Sequence, residues 1–284
     1  MGKIIAMKGL PGSGKSTKAK ELLKTVQNSV RVNKDCLREM AFFNDWTPKR
    51  EAVVDSGEMD LINFWLGKNK VVIVDDTNLG QRVQRLRNTF FQHTVEVVEV
   101  NTPLEECILR DSLREGRARV GSSIITNMAL ANGHIFDKPV VLVDVDGTVA
   151  DIDHRLHFVK DGKKDWKSFF ANVDNDTPHF EILNEINDLY PAKDFTRVVM
   201  SGRPENLRDT TENWLQRVAR LEYATLIMRG AKDSRADDIV KRELFNRHLT
   251  NQTVTVAYDD RPRVVRVWES MGIPVRQCGS GVEF

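Results

Sequence analysis

Short apolar runs alternate with longer amphipathic stretches along the first half of the chain. The apolar runs are rich in β-branched residues and cover residues 3–7, 30–33, 71–74 and 95–100. Such short, continuous runs are typical of strands buried on both faces of a parallel sheet. The stretches 18–26, 50–65 and 81–91 between them have the length and the polar breaks of helices. This alternation predicts an α/β fold with a parallel sheet.

The same alternation begins again in the second half, after a segment at residues 131–139 that contains asparagine, glycine and proline. Strands are predicted here at residues 140–143, 197–200, 225–228 and 253–257, and an exposed turn at 161–164. The length of 284 residues is about twice that of a typical domain. We therefore predict two domains, residues 1–136 and 137–284.

Composition and cysteine usage exclude several classes of protein. Hydrophobic residues make up 40% of the chain and charged residues 29%, which excludes a mainly disordered chain or a collagen-like repeat. The three cysteines, Cys36, Cys107 and Cys278, lie too far apart for a zinc-site or disulfide pattern. No apolar run near the start is long enough for a signal peptide or a membrane span. We expect a cytoplasmic protein in a reducing compartment.

Charge excludes a protein that binds nucleic acid through its overall positive field. The formal net charge is only +1. Residues 1–136 carry 20 Lys and Arg against 16 Asp and Glu, a net of +4, and the remainder carries 22 against 25, a net of −3. This difference is too small to identify a partner.

A phosphate-binding motif follows the first predicted strand. Residues 9–16 read GLPGSGKS, which matches G-x-x-x-x-G-K-[ST] at the required position between a strand and a helix. The glycines let backbone N–H groups turn toward an oligophosphate, Lys15 adds a positive charge, and Ser16 can bind Mg²⁺. A simple glycine-rich turn is the alternative. The motif predicts ATP or GTP as phosphate donor.

Residues that follow the next strands are candidates for acceptor binding. Asp35 could accept a hydroxyl proton while Arg38, three residues later, holds an acceptor phosphate. From spacing alone, an N-cap aspartate with a surface arginine is the favoured alternative. Residues 75–78, DDTN, offer a carboxylate for Mg²⁺, although turn capping explains any one of them equally well.

A basic segment follows later in the first half. Arg110 and Arg114 lie one helical step apart, and the segment continues through Arg117 and Arg119 to Gly121. Such a segment is suited to a lid whose arginines neutralise charge on a transferred phosphoryl group. A solvated helix face is the alternative.

A second motif begins where the strand at 140–143 ends. Residues 144–149 read DVDGTV, which resembles the D-x-D-G-T-[LV] signature of haloacid-dehalogenase-like phosphatases. In this chemistry Asp144 attacks phosphorus to give an aspartyl-phosphate, and Asp146 gives a proton to the leaving alkoxide and later takes one from water. An EF-hand is excluded because its remaining ligands are absent at the expected positions.

Further residues suited to a phosphatase follow in order. Ser201 can donate a hydrogen bond to a phosphoryl oxygen, and Arg203 is placed to contact phosphate. Lys241 resembles the phosphate-neutralising lysine of the same superfamily, with Asp237 as its expected partner. Asp259 and Asp260 follow an apolar strand and are suited to holding Mg²⁺ with Asp144 and the backbone carbonyl of Asp146.

Together the motifs resemble, in order and approximate spacing, the bacteriophage polynucleotide kinase-phosphatase family, over nearly the whole chain. The resemblance implies an adenylate-kinase-like P-loop domain followed by a haloacid-dehalogenase-like domain. It implies that the donor nucleotide is bound by Gly12, Gly14, Lys15, Ser16, Thr17 and Arg110. It gives catalytic roles to Asp35, Arg114, Asp144, Asp146 and Lys241. It gives substrate binding to Arg38, Asp76, Thr77, Asn78, Ser201, Arg203 and Asp237. It places Mg²⁺ at Ser16 in the first site and at Asp144, Asp146, Asp259 and Asp260 in the second. One departure is Cys36, where the family has a second acidic residue.

The resemblance implies an enzyme that prepares broken nucleic acid for sealing. It would phosphorylate a 5′-hydroxyl from ATP and remove a 3′-phosphate, at DNA or RNA ends, in concert with a ligase. A homo-oligomer is also implied. The alternative is a kinase for a nucleoside or metabolite fused to a small-molecule phosphomonoesterase.

The segment 151–178 resembles the family least. It mixes basic and aromatic residues, namely His154, Arg155, His157, Trp166, Phe169 and Phe170. Two interpretations stay open: these side chains stack on a terminal base, or they pack as a small cap or domain contact, which we favour.

Overall fold

The computed structural model describes residues 2–160, 162 and 164–279, apart from the side chain of residue 117. It separates the chain after Asn132 into two compact units, called here the first unit and the second unit. Part of the turn predicted at 161–164 lies outside the described residues. No helix in the described ranges is both long enough and apolar enough to cross a bilayer.

The first unit is a four-stranded parallel sheet flanked by helices. Its elements are β1 (Lys3–Lys8), α1 (Lys15–Thr25), β2 (Ser29–Val32), α2 (Lys34–Phe42), α3 (Pro48–Gly67), β3 (Val71–Val74), α4 (Arg82–Thr89), β4 (Thr94–Glu99), α5 (Leu104–Ser112) and α6 (Ser122–Leu130), with a 3-10 turn at Gly116–Ala118. The strand order is β2-β3-β1-β4, and every pair is parallel. The central strands β1 and β3 are buried on both faces, which explains their unbroken apolar sequences.

Local sequence signals set the starts of the helices around this sheet. The side chain of Asn33 accepts a hydrogen bond from the Cys36 N–H and caps α2. Thr47 caps α3 in the same way, and Pro48 occupies the first helical position. Gly14, with φ of 95°, turns the chain from the phosphate-binding loop into α1.

The second unit has a five-stranded parallel sheet. Its elements are β5 (Val140–Val143), β6 (Ala150–Asp151), α7 (Asp153–Leu156), α8 (Trp166–Ala171), β7 (Thr177–Pro178), α9 (Phe180–Leu189), β8 (Thr196–Pro204), α10 (Arg208–Arg217), β9 (Thr225–Arg229), α11 (Asp237–His248), β10 (Val254–Asp259), α12 (Pro262–Ser270) and β11 (Val275–Gln277), with 3-10 turns at Val173–Asn175 and Glu205–Leu207. The order is β11-β10-β5-β8-β9, again all parallel. The predicted α/β class with parallel sheets is therefore confirmed.

In both sheets the candidate site residues lie at the carboxyl ends of the strands. In the first unit the phosphate-binding loop follows β1 and Asp75 follows β3. In the second unit Asp144 follows β5 and Asp259 ends β10. Parallel strands place such residues side by side at one edge of the sheet, where ligands of α/β folds bind.

Candidate active sites

The phosphate-binding loop of the first unit is closely packed. The ammonium of Lys15 donates to the Leu10 carbonyl at 2.6 Å, and the side chain is buried. Burial lowers the pKa of Lys15, although Asp75 opposes it. The lysine is therefore held under the loop, where an anionic ligand would replace the carbonyl as its partner.

The backbone conformation and the close neighbours of residue 12 require glycine at this position. Its φ is 82°, and a Cβ there would lie 2.3 Å from the Cys107 carbonyl oxygen. We expect Gly12→Ala to lower the free energy of unfolding by about 2 kcal/mol, since it adds left-handed strain to a backbone collision. Gly57→Ala, in the interior of α3, places its new Cβ more than 4 Å from every described atom beyond its chain neighbours and the backbone of its own helix, and should instead raise it by up to about 1 kcal/mol. Chemical denaturation of the full chain checks the opposite signs, and equal effects would contradict this account.

Asp75 connects the loop to the sheet. The Ser16 hydroxyl donates to Asp75 Oδ1 at 3.2 Å, and Arg31 donates to Oδ2 through Nε at 2.7 Å and forms an ion pair through Nη2 at 2.6 Å. Asp75 is buried. The sequence left open which residue of the DDTN segment faces the loop, and the structure identifies Asp75.

The candidate base lies beside the candidate acceptor arginine. Arg38 Nη1 donates to Asp35 Oδ1 at 2.6 Å, and its other nitrogens donate to Glu51 at 3.0 and 2.8 Å. The Asp35 side chain is 82% exposed, so a substrate hydroxyl can reach it. The alternative that Asp35 caps α2 is wrong, because Asn33 is the cap.

The other residues of the DDTN segment mainly hold the scaffold. Asn78 is buried, and its amide donates to the carbonyls of Met7 at 2.7 Å and Val74 at 3.2 Å. The donor of Asn78 is thus committed to the sheet, whereas its Oδ1 atom has no hydrogen-bond partner among the described residues, and a role in substrate binding stays a prediction. Thr77 accepts the Gly9 N–H at its carbonyl at 3.0 Å. Asp76 accepts the Lys34 N–H at 3.2 Å, which ties β3 to the start of α2.

A buried carboxyl lies behind these residues. Glu58 is fully buried and pairs with Arg82, but burial, reinforced by Asp76, outweighs the arginine and raises the pKa of Glu58 to about 9. The unfolded value is near 4.5. Between pH 4.5 and about pH 9 the Glu58 carboxyl is protonated in the folded chain and ionised in the unfolded chain. The stability that Glu58 contributes therefore falls as pH rises through this range.

Glu58→Gln keeps the shape of the side chain and removes this proton equilibrium. From about pH 6 to about pH 8 we expect the variant to gain stability relative to the wild type by up to about 1.4 kcal/mol for each pH unit. Denaturation curves at several pH values measure this difference. Asp60→Asn, exposed on the same helix, should show no such trend. A flat difference for Glu58→Gln would contradict the buried, protonated carboxyl.

The two candidate lid arginines border the phosphate-binding loop. Arg110 Nη1 donates to the Gly12 carbonyl at 3.4 Å and pairs with Glu106 at 2.5 Å. Arg114 pairs with Asp111 at 3.5 Å. Both arginines line a cavity of about 570 Å³ together with Gly12, Gly14 and Thr17. The arginines and the predicted donor-binding residues thus share one space.

In the second unit, Lys241 lies between two carboxylates. Its Nζ is 2.8 Å from Asp144 Oδ1 and 2.8 Å from Asp259 Oδ2. Burial, opposed by Lys241 and reinforced by Asp259, raises the pKa of Asp144 to about 8. The expected pairing of Lys241 with Asp237 is wrong, because Lys241 is engaged by Asp144 and Asp259. Asp237 instead pairs with Arg229 and, at 2.5 Å, with Arg261.

Three carboxylates converge on one point. Ligand oxygens of Asp144, Asp259 and Asp260 lie within 4.8 Å of one another. The Asp260 Oδ1 atom is buried and has no hydrogen-bond partner among the described residues. Burial, reinforced by Asp259, raises the pKa of Asp260 to about 7. A buried, unsatisfied carboxylate oxygen beside two others is a suitable environment for a hard divalent cation.

Asp146 is held by two buried arginines. Arg155 Nη2 donates to its Oδ1 at 2.5 Å, and Arg203 Nη2 donates to the same atom at 2.6 Å. Burial opposes ionisation, but the arginines outweigh it and hold the pKa of Asp146 well below its ordinary value. Both arginines also pair with buried Asp176. Arg203, expected to contact phosphate, is thus engaged by carboxylates in this structure.

The sequence gives no signal for two members of this network, Arg155 and Asp176. Arg155 lies in the segment whose basic and aromatic residues suggest a cap. Ser201 lies at the same edge of the sheet, fully buried, and its hydroxyl accepts the Arg203 N–H at 3.2 Å. No short motif links Arg155 to Asp176, which are 21 residues apart, so only the fold could reveal the pair.

The two sites define a chain with a phosphate-binding kinase fold and a phosphatase fold in series. A family model described as "Polynucleotide kinase PNKP phosphatase domain" matches residues 138–283, and one described as "AAA domain" matches residues 4–130. The first match covers more than half of the chain. The chain therefore belongs to the family of the polynucleotide kinase PNKP phosphatase domain, which confirms the polynucleotide kinase-phosphatase resemblance drawn from the motifs.

Relatives of known name are similar over nearly the full length of the chain. A protein of Autographa californica nuclear polyhedrosis virus, named "Putative bifunctional polynucleotide kinase/RNA ligase", is 27% identical over 99% of this chain. The chain spans 43% of the length of that relative. Two solved structures, "Structure of Pnkp1/Rnl/Hen1 complex" and "Structure of the Pnkp1/Rnl/Hen1 RNA repair complex", are 25% and 24% identical over 99% of this chain and 98% and 97% of theirs, each with a TM-score of 0.44.

Proposed function

We propose that this chain is an enzyme that heals nucleic-acid ends, with a 5′-hydroxyl kinase in residues 1–136 and a 3′-phosphatase in residues 137–284. One observation carries the proposal: a phosphate-binding loop beside an exposed carboxylate, and a buried aspartate cluster of the phosphatase type, occur in one chain. Each activity corrects one end of a break that has a 5′-hydroxyl and a 3′-phosphate. The family match supports polynucleotide substrates.

In the kinase, the loop holds the donor phosphates and Lys15 neutralises them once it leaves the Leu10 carbonyl. Asp35 takes the proton of the 5′-hydroxyl as that oxygen bonds to the γ-phosphorus and the bond to the β,γ-bridging oxygen breaks. Arg38 binds an acceptor phosphate, and Arg114 stabilises charge on the transferred group.

Oxygen ligands suited to Mg²⁺ stand beside the donor site. The Ser16 hydroxyl and the Asp75 carboxylate are hydrogen-bonded to each other, and hard divalent cations prefer such oxygens. Mg²⁺, when bound there, would offset phosphate charge. Gly12, Gly14 and Thr17 supply the backbone of the cradle, and Arg110 lies close enough to the loop to contact the donor.

In the phosphatase, the Asp144 carboxylate attacks the phosphorus, the bond to the 3′-oxygen breaks, and an aspartyl-phosphate forms. Asp146 donates the proton that the leaving oxygen needs. When substrate binds, Arg155 and Arg203 would release Asp146 and contact the substrate phosphate instead. Loss of these two positive partners would raise the pKa of Asp146, as its role as an acid requires. Water then attacks the phosphorus of the aspartyl-phosphate and loses its proton to Asp146. The bond between phosphorus and Asp144 breaks, which releases inorganic phosphate and restores the Asp144 carboxylate.

In the second site Asp144, Asp259 and Asp260, whose ligand oxygens lie within 4.8 Å of one another, would hold Mg²⁺ together with the backbone carbonyl of Asp146. Mg²⁺, when bound there, would neutralise charge on the phosphoryl group. Lys241 holds the nucleophile in place through its contact with Asp144. Ser201 offers a hydroxyl for the phosphoryl oxygens, and Asp237 fixes Arg229 and Arg261 at the edge of the site.

End healing implies a ligase as the next enzyme, since ligation needs a 5′-phosphate and a 3′-hydroxyl. The name of the viral relative, which joins a kinase to an RNA ligase, supports this order of reactions.

Competition tests the polymeric substrate. Hydrolysis of a small phosphate ester should be inhibited by excess oligonucleotide with a 3′-phosphate, and kinase activity by excess 5′-hydroxyl oligonucleotide. A chain that phosphorylates a nucleoside and ignores both oligonucleotides would be a small-molecule kinase fused to a phosphomonoesterase, and the proposal would fail.

A further inference from the structure

The helix that carries the candidate base has little apolar anchorage. α2 contains Asp35 and Arg38, yet none of its residues, all of which are described, is buried. Its neighbour α3 is by contrast packed into the core of the first unit through Ile62 and Leu66. Helices in proteins are stabilised mainly by the packing of an apolar face. Other contacts must therefore keep α2 in place.

An acidic face of α3 supplies these contacts. Glu51, Asp55 and Glu58 follow one another at helical spacing and so share one face of the helix. Asp55 Oδ1 is 2.7 Å from Lys34 Nζ, and Glu51 accepts from Arg38 at 3.0 and 2.8 Å. The four paired side chains are partly buried, and water and salt screen such pairs less than surface pairs. Ion pairs thus dock α2 on α3.

Asp55 is the carboxylate that joins α2 to a second helix. Besides Lys34 it pairs with Arg82 Nη1 at 3.1 Å and with Arg85, both from α4. Burial opposes ionisation of Asp55, but Lys34 and the two arginines outweigh it and lower the pKa of this carboxyl. The ionised Asp55 therefore holds cations from both of its neighbouring helices at once.

Lys34 transmits this contact to the candidate base, which is the next residue. The Asp35 side chain is exposed, and its ion pair with Arg38 lies within the same helix, so that pair cannot fix Asp35 relative to the rest of the unit. The backbone must set its position. Lys34 is held from two sides, by Asp55 at its ammonium and by Asp76 Oδ1 at its N–H. A shift of Lys34 would move Asp35 with it.

We propose that Asp55 is a positioning residue of the kinase: by holding Lys34 it fixes the first turn of α2, and with it Asp35 and Arg38, at the acceptor site. This inference rests on the proposed kinase function. The donor loop is held by different contacts, such as that of Lys15 with the Leu10 carbonyl. Loss of the Asp55 charge should therefore impair use of the acceptor and leave ATP binding intact.

The test removes the ion pair from either side. Asp55→Asn keeps the shape of the side chain and removes its charge, Asp55→Glu keeps the charge, and Lys34→Gln removes the partner. Asp60→Asn makes the same chemical change at an exposed position of α3 and is the matched control. Kinase kinetics are measured on the full chain with a 5′-hydroxyl oligonucleotide, varying the acceptor and ATP in separate series. Thermal unfolding and 3′-phosphatase activity check that each variant is folded.

We expect Asp55→Asn to lower kcat/KM for the acceptor about ten- to a hundredfold, with a fall in kcat, because a small displacement of a base has effects of this size. KM for ATP should not change. Asp55→Glu should recover most of the loss, and Asp60→Asn should resemble the wild type. The double variant with Lys34→Gln should lose no more than Asp55→Asn alone, since both substitutions remove the same contact.

Unchanged acceptor kinetics in Asp55→Asn would overturn the positioning role. So would an equal rise in KM for ATP, which would make Asp55 merely structural, or losses that multiply in the double variant. Should Asp55→Asn fail to fold, Lys34→Gln decides: a displaced base lowers kcat at saturating acceptor, whereas loss of a direct contact with the acceptor raises KM alone and would reject the proposal. A wild type that phosphorylates no 5′-hydroxyl oligonucleotide would instead reject the proposed function itself.

Discussion

Asp144→Asn is expected to abolish 3′-phosphatase activity, by about 10⁴-fold or more in kcat, and to leave 5′-kinase activity unchanged. The amide cannot form the phosphoryl bond that the carboxylate forms, and loss of the nucleophile removes the reaction path itself. The substitution also takes one partner from Lys241, which keeps Asp259 at 2.8 Å. Release of phosphate from a 3′-phosphate oligonucleotide measures the effect.

The matched control is Asp194→Asn, an exposed carboxylate of the same unit, which should keep full activity at both ends. Thermal unfolding of both variants separates loss of chemistry from loss of fold. Phosphatase activity of Asp144→Asn within about tenfold of the wild type would show that another group is the nucleophile.

Lys15→Ala is the counterpart in the first unit. It should reduce 5′-kinase activity about 10²- to 10³-fold, because the Lys15 ammonium is held against the phosphate-binding loop by the Leu10 carbonyl, and a lost electrostatic contact to the transferred phosphate has this size. Because burial already lowers the pKa of Lys15, its removal should not destabilise the fold. Transfer of labelled γ-phosphate to a 5′-hydroxyl end is the assay.

The control is Lys24→Ala, since Lys24 is an exposed lysine in the last turn of the same helix. It makes the same change in charge and helix propensity and should leave kinase activity unchanged. Phosphatase activity should survive both substitutions. If Lys15→Ala and Lys24→Ala had equal kinase activity, the loop would not be the donor site.

The strands were predictable because burial on both faces requires unbroken apolar sequence. The run at 71–74 coincides with β3, and that at 140–143 with β5. The short strand β11 at Val275–Gln277 was missed, since two of its three residues are polar and it lies at the edge of the sheet. Edge position, which weakens the apolar pattern, depends on the final topology and cannot be read locally.

The site residues also divide into those that a motif predicts and those that only the fold brings together. Those within one motif, such as Lys15 with Ser16 or Asp144 with Asp146, were predictable because chemistry requires their spacing. Contacts between distant segments were not: the pairing of Lys241 with Asp259 spans 18 residues. The amide of Asn78 is directed into the sheet by burial, which its sequence neighbours do not show.

The central claim is that one chain corrects both ends of one break. Its most direct test is a single-stranded oligonucleotide with a 5′-hydroxyl and a 3′-phosphate, incubated with the wild-type protein, Mg²⁺ and γ-labelled ATP, with each end analysed separately. We expect label at the 5′ end and loss of phosphate from the 3′ end. An oligonucleotide left unchanged at both ends, as DNA and as RNA, would contradict it.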